Sequence, residues 1–117
     1  METRELIEKI VKELSDKKCK NIVVIDVSKK TDVTDAFIVC SASNPSLARA
    51  AYDDMTGKLE TEGIYADRAD GLKDSRWIVV DYDQVIVHIF HPSMRELFKF
   101  EKVWANEDES NVTVIEE

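Results

Sequence analysis

The chain has 117 residues, 44% of them apolar, which is one domain's worth and enough to bury a core without staples. Its net charge of −8 excludes a protein that grips nucleic acid mainly through phosphates, since that needs a basic face. Cys19 and Cys40 lack the spacing of a zinc site or a disulfide framework, and they read as reduced thiols of a cytoplasmic protein.

Residues 3–18 carry Leu6, Ile7, Ile10, Val11 and Leu14 at helical spacing. This predicts an amphipathic helix with Thr3 as its N-cap and Lys17-Lys18-Cys19-Lys20 as its solvated end. The start METRELIEK has no apolar signal-peptide core, and no run reaches membrane-spanning length. Asn21–Val27 and Ala36–Cys40 are short β-branched runs joined by a link too short for a helical crossover. They are expected to pair antiparallel. Asn44-Pro45 is an N-cap followed by a proline at the first helical position, so a second helix is predicted to run to Glu62 and stop at Gly63. Its buried stripe reads Leu47, Ala50, Ala51, Met55 and Leu59. Ile64–Ala66 is expected as a short edge strand, and 67–76 as a polar loop.

Trp77–Val80 and Val85–Phe90 flank the polar break Asp81-Tyr82-Asp83-Gln84, the strongest hairpin signal in the chain. The second run is almost continuously apolar and predicts a strand covered on both faces. His91-Pro92 then opens a helix over 92–100, extending to Trp104. Residues 105–117 carry five acids and no base and read as an acidic, flexible tail after a domain spanning 1–104; Val112–Ile115 is a weak strand candidate. The predicted fold class is α/β: a mixed sheet of about five strands, with helices on both faces.

Four constellations bear on function. Asp81 and Asp83, with Ser41-Ala42-Ser43 before a helix, resemble a Mg²⁺ and phosphate arrangement. Asp is equally a turn residue, and the serine turn lacks glycine. His88 and His91 point to opposite faces of a strand and cannot share a metal; His88 reads as a buried, hydrogen-bonded ring and His91 as a helix cap. Cys40 has no local partner that would make it a nucleophile. Trp77, Tyr82, Leu97, Phe98, Phe100, Glu101 and Trp104 form an aromatic and acidic set suited to a protein interface. Phe98 and Phe100 are separated by about 200° on a helix, so at least one looks outward.

Residues 5–104 resemble the ribosomal silencing factor (RsfS, iojap-like) family. The resemblance rests on Thr34–Ser41, Trp77–Tyr82, Val85–Pro92 and Arg95–Phe98 running to Glu101–Trp104. The chain departs from the family pattern at Ser41–Asn44 and Asp83-Gln84, where glycine-containing turns are usual. The resemblance implies a nucleotidyltransferase-like fold without the catalytic acids, hence no enzyme and no cofactor. It implies a domain that binds the large ribosomal subunit through its L-fourteen protein, blocks joining of the small subunit and represses translation. It also implies a homodimer when free, with no nucleic-acid or membrane partner. The partner-binding residues it implies are Asp70, Gly71, Trp77, Asp81, Tyr82, His91, Arg95, Leu97, Phe98, Glu101 and Trp104. Two other readings stand beside it. One is a residual nucleotide-binding protein built on Ser41, Ser43, Asp81 and Asp83; the other is a scaffold whose aromatic patch is its own dimer interface.

Overall fold

Two continuously apolar runs make the middle of the sheet. β2 (Ala36–Ser41) and β5 (Val85–Phe90) are buried at every residue and pair in parallel, from Ala36 opposite Val85 to Ser41 opposite Phe90. Each fully buried Ile or Val there contributes roughly 1.5–3 kcal/mol. The structure, a computed structural model, describes residues 1–116. β1 (Lys20–Asp26) pairs antiparallel with β2, as the short link requires. β4 (Trp77–Asp81) and β5 form the expected hairpin. β3 (Arg68–Asp70) and β6 (Val112–Val114) are the edges, giving the order β3-β4-β5-β2-β1-β6.

α1 (Thr3–Asp16) and α2 (Pro45–Thr61) cover one face. They bury Leu6, Ile10 and Leu14 from the first, and Ala48, Ala51, Met55 and Leu59 from the second. Of the expected stripe on α2, Ala50 is exposed, and Ala48 takes its place in the core. Asn44 caps α2 as expected, its side chain accepting the Leu47 N–H at 2.8 Å. Both helices end alike. The Cys19 N–H returns to the Leu14 carbonyl and the Lys18 N–H to Ser15; Ile64 and Gly63 repeat the pattern with Leu59 and Glu60. This 6→1 and 5→2 pairing needs a left-handed residue, supplied by Lys18 (φ 63°) and Gly63 (φ 79°).

Several sequence expectations are corrected. Thr3 begins α1 instead of capping it, and its hydroxyl donates to the Asp35 carboxylate at 3.1 Å. Lys17 and Lys18 lie past the helix, in the turn that brings Cys19 into the core, and Lys20 opens β1. The edge strand is Arg68–Asp70, not Ile64–Ala66, because Ile64 is spent closing α2 while Arg68 and Asp70 find the partners Asp81 and Val79. The last helix is broken at Lys99 into α3 (Pro92–Phe98) and α4 (Phe100–Trp104). The sheet has a sixth strand because Val112, Thr113 and Val114 pair antiparallel with Ile25, Val24 and Val23. Asn111 brackets that strand, its Nδ2 donating to the carbonyls of Asp26 (2.9 Å) and Trp104 (3.1 Å). Glu117, the end of the predicted tail, lies outside the described residues.

Candidate functional surface

Side chains alternate across a sheet, so the strand register sorts residues into faces. Ile78 and Val80 of β4 join the aliphatic core under α1 and α2. Trp77 and Val79 join the opposite face with Phe37, Val39, Ile86 and Phe90. That second face is aromatic, and α3 and α4 cover it without burying a single residue of their own. Met94, Phe100 and Trp104 reach down only part way. Phe100 and Trp104 each sit 5.0 Å, centroid to centroid, from Phe37 in edge contact. α3 packs on β5, and β4 keeps Trp77, Val79 and Asp81 half-buried.

Trp77, His88 and Phe100 each touch four other rings, and Trp77 is the one that reaches Phe98. It stacks on Phe90 at 4.8 Å and touches Phe98 at 5.1 Å. Its indole N–H donates to His88 Nδ1 at 3.0 Å, which sets the proton of a neutral ring on Nε2. That Nε2 is buried with no hydrogen-bond partner among the described residues, and the ring lies 4.2 Å from Phe100. Burial pushes the His88 pKa down to about 4, because the charged ring would lose its hydration with nothing to replace it. The pattern fits the expected hydrogen-bonded core histidine. His91, also as expected, caps α3 by accepting the Ser93 N–H at 3.1 Å.

The break at Lys99 decides what is exposed. Lys99 adopts φ 48°, ψ 46°, a left-handed turn that costs a non-glycine residue roughly 1–2 kcal/mol. It rotates Phe100 inward and leaves the end of α3 outward: Leu97 is 72% exposed and Phe98 48%. A guanidinium spans the break. Arg95 Nε and Nη2 donate to the two Glu101 oxygens at 3.0 Å each, and Nη1 donates to Ser41 Oγ at 2.9 Å.

The eleven residues expected to meet a partner fall into three groups. Trp77 and Phe98 meet on the half-covered face, and Leu97 stands exposed next to Phe98; Asp70 lies opposite Val79 on the edge strand, and Asp81 is on the same face four residues along β4 from Trp77, about 13 Å away. His91, Arg95, Glu101 and Trp104 are tied into the scaffold, as is Gly71. Its φ of 82°, and the Trp77 carbonyl standing where a Cβ would sit, leave no room for a side chain. Tyr82 does not join them. It is buried in the aliphatic core, where loss of hydration pushes its hydroxyl pKa upward, helped by Tyr52 and Glu60. Alternation along β4 accounts for this: one residue past Asp81 is the other face. Sequence reasoning passed over Val79, Met94 and Phe37, which build the floor of the surface; their only sequence signal was strand and helix period.

The nucleotide-site pattern does not assemble. Ser41 lies beside Phe90 and Asp81 beside Ile86, four residues apart along β5, or about 13 Å. Asp81 accepts the Asp83 N–H at 2.8 Å, and its second oxygen is 3.6 Å from Arg68. Among the described residues, no group of three or more His, Cys, Asp or Glu side chains is placed to hold a metal ion. No helix among them is long and apolar enough to cross a membrane. A groove of about 690 Å³ lies away from the aromatic face, between Ile7 of α1 and Val24 and Ile115.

Comparison with known proteins bears on the whole chain. A family model described as "ribosomal silencing factor during starvation" matches residues 1–117. A ribosomal silencing factor from Haemophilus influenzae is 33% identical over 100 residues, covering 86% of this chain and 98% of that protein. One from Halalkalibacterium halodurans is 26% identical over 106 residues, covering 91% of each. The crystal structure of a Chromobacterium violaceum protein, 28% identical, superposes with a TM-score of 0.86 over 89% of this chain and 87% of that one.

Proposed function

The chain belongs to the ribosomal silencing factor family, and on that footing we propose that it binds the large ribosomal subunit through its L-fourteen protein and blocks joining of the small subunit. The observation that carries the reading is the half-covered aromatic face, with Leu97 and Phe98 standing out of it. Exposed apolar side chains beside a hydrogen-bonded tryptophan suit a protein partner, since rings bury much area at little entropy cost. Asp70 and Asp81 alongside, on a chain of net charge −8, favour a partner with a basic rim and a protein surface over bare RNA.

The mechanism requires no bond making. Occupying one surface of the large subunit excludes the small subunit by volume. Repression then follows occupancy, growing as the free factor rises above its dissociation constant. The direct contacts are Trp77, Leu97 and Phe98, with Asp70 and Asp81 at the edge; Gly71, His91 and Trp104 hold the surface in shape. The factor forms a homodimer when free. The site of action is the cytoplasm, where its partner resides.

Co-sedimentation with isolated large subunits, small subunits and joined ribosomes tests this. Expected are binding to the large subunit alone and fewer joined ribosomes as protein is added. Phe98→Ala should weaken that binding roughly thirtyfold, a loss of about 2 kcal/mol. Binding to no particle, or to small subunits only, would remove the proposal. A Mg²⁺-dependent thermal shift with a nucleoside triphosphate, abolished by Asp81→Asn with Asp83→Asn, would favour the nucleotide reading instead.

A further inference from the structure

We infer that Arg95 and Glu101 are positioning residues of the docking surface, a clamp that sets the α3–α4 elbow and makes no contact with the partner. The inference rests on the docking reading above and gives these two charged residues a different role from the one their chemistry first suggests.

The Arg95 side chain is only 11% exposed, and three of its N–H groups are engaged inside the chain. Two meet the paired oxygens of Glu101, a fork-on-fork geometry that fixes orientation as well as distance. The third reaches Ser41, the last residue of β2. One guanidinium therefore joins α3, α4 and the end of the central strand. The residues it brackets are Leu97, Phe98 and Lys99, the elbow itself.

The elbow needs such a tie. α3 and α4 have seven and five residues, far below the length at which a helix holds itself in water. Neither buries a residue, so packing alone fixes them weakly. Lys99 sits in a left-handed conformation that its side chain disfavours, steadied by its N–H to the Arg95 carbonyl at 2.9 Å and by the Lys102 N–H to its own carbonyl at 3.0 Å. Closing the clamp selects this geometry. The outward angle of Leu97 and Phe98 and the 5.1 Å contact of Phe98 with Trp77 then follow together. A partner meets a preformed surface and does not have to order one.

The test uses the full chain in two measurements. Arg95→Lys keeps the charge but cannot span both carboxylate oxygens; Glu101→Gln keeps the shape and loses the charge. In the free protein, the Lys99 and Lys102 amides should exchange about tenfold faster in either variant, while the β5 amides keep their rates. Unchanged exchange at the elbow overturns the clamp, as does equal acceleration in β5, which would make Arg95 a general stability residue. The second measurement is binding to large subunits. Arg95→Lys should weaken it about tenfold in the parent chain and add nothing in a Leu97→Ala, Phe98→Ala background, with the salt dependence unchanged. An additive loss, or a shallower salt dependence, makes Arg95 a direct contact and overturns the inference. If Leu97→Ala with Phe98→Ala binds like the parent, the docking reading falls, and the exchange rates alone decide whether the clamp sets the elbow.

Discussion

The two faces of the sheet are built to different standards of completion. Under α1 and α2 the core is aliphatic and deeply buried, with a groove left only at its edge between Ile7, Val24 and Ile115; the helices run 14 and 17 residues and each lays a continuous stripe on the sheet. Under α3 and α4 the core is aromatic, and the two helices together span fewer residues than α1. Leu97, Phe98 and Val103 are left in solvent there. A small domain gains its stability from one deeply buried layer, which frees the other to remain half-covered for a partner. Rings suit a half-covered layer. Trp77, Phe90, Phe98 and Phe100 hold one another by edge and stacking contacts, so the patch keeps its shape without a lid.

The largest expected contrast is in stability. Ile10→Ala, in the deeply buried layer, should cost about 3 kcal/mol in urea unfolding, whereas Phe98→Ala should cost about 1 kcal/mol or less and act on binding instead. Comparable stability losses would mean that the aromatic face is as deeply buried as the other.

Acid should distinguish the faces next. His88 is held at about 4 by burial on the aromatic side, against about 6.5 for an unfolded histidine. The unfolded chain takes up a proton as pH drops through 6.5 and the folded chain does not, so stability falls with pH and the loss levels off only below about 4. Between pH 7 and pH 5 this amounts to about 2 kcal/mol, read as the difference between the parent and His88→Gln in denaturant midpoints at each pH. Identical pH profiles would place the proton elsewhere.

Smaller effects belong to the margins of the second face. Asn111→Ala removes two side-chain donations, to Asp26 and Trp104, and should cost about 1–2 kcal/mol. It should also speed amide exchange across residues 112–115, which we propose already exchange well ahead of β5 as part of a flexible tail. Equal protection of the tail and β5 would end that proposal. Lys99→Gly relieves the left-handed strain at φ 48° but loosens the unfolded chain. The net expectation is a gain of about 0.5 kcal/mol, read from the thermal midpoint.

What was legible in the sequence was what local chemistry decides. Asn44-Pro45 and His91-Pro92 opened helices, Gly63 closed one, and the apolar run Val85–Phe90 became the central strand. The features that were missed, or, like β6, only weakly indicated, depend on residues far apart in the chain. FKFEKVW has no glycine or proline to signal a break; Lys99 turns because Phe100 reaches Phe37 and Arg95 reaches Glu101. β6 is a short run between acids, and its place depends on β1 having an open edge and on Asn111 bridging to Asp26. Tyr82 was grouped with Trp77 as one of an aromatic set, yet strand alternation carries it to the other layer. For the surface itself, the aromatic composition pointed to the last helix and the hairpin, the elements from which the proposed docking surface is built. Only the fold distinguishes Leu97 and Phe98, which are offered outward, from Arg95 and Glu101, which are turned inward.

The tryptophan placement has a practical consequence. The chain's two tryptophans, Trp77 and Trp104, both lie half-buried on the aromatic side, and the α1–α2 layer has none. Intrinsic fluorescence excited near the indole band therefore watches one face of the molecule and is blind to the other. A ligand settling on Leu97 and Phe98 would dry the Trp77 ring and shift its emission to the blue, so unlabelled protein carries its own optical readout of docking.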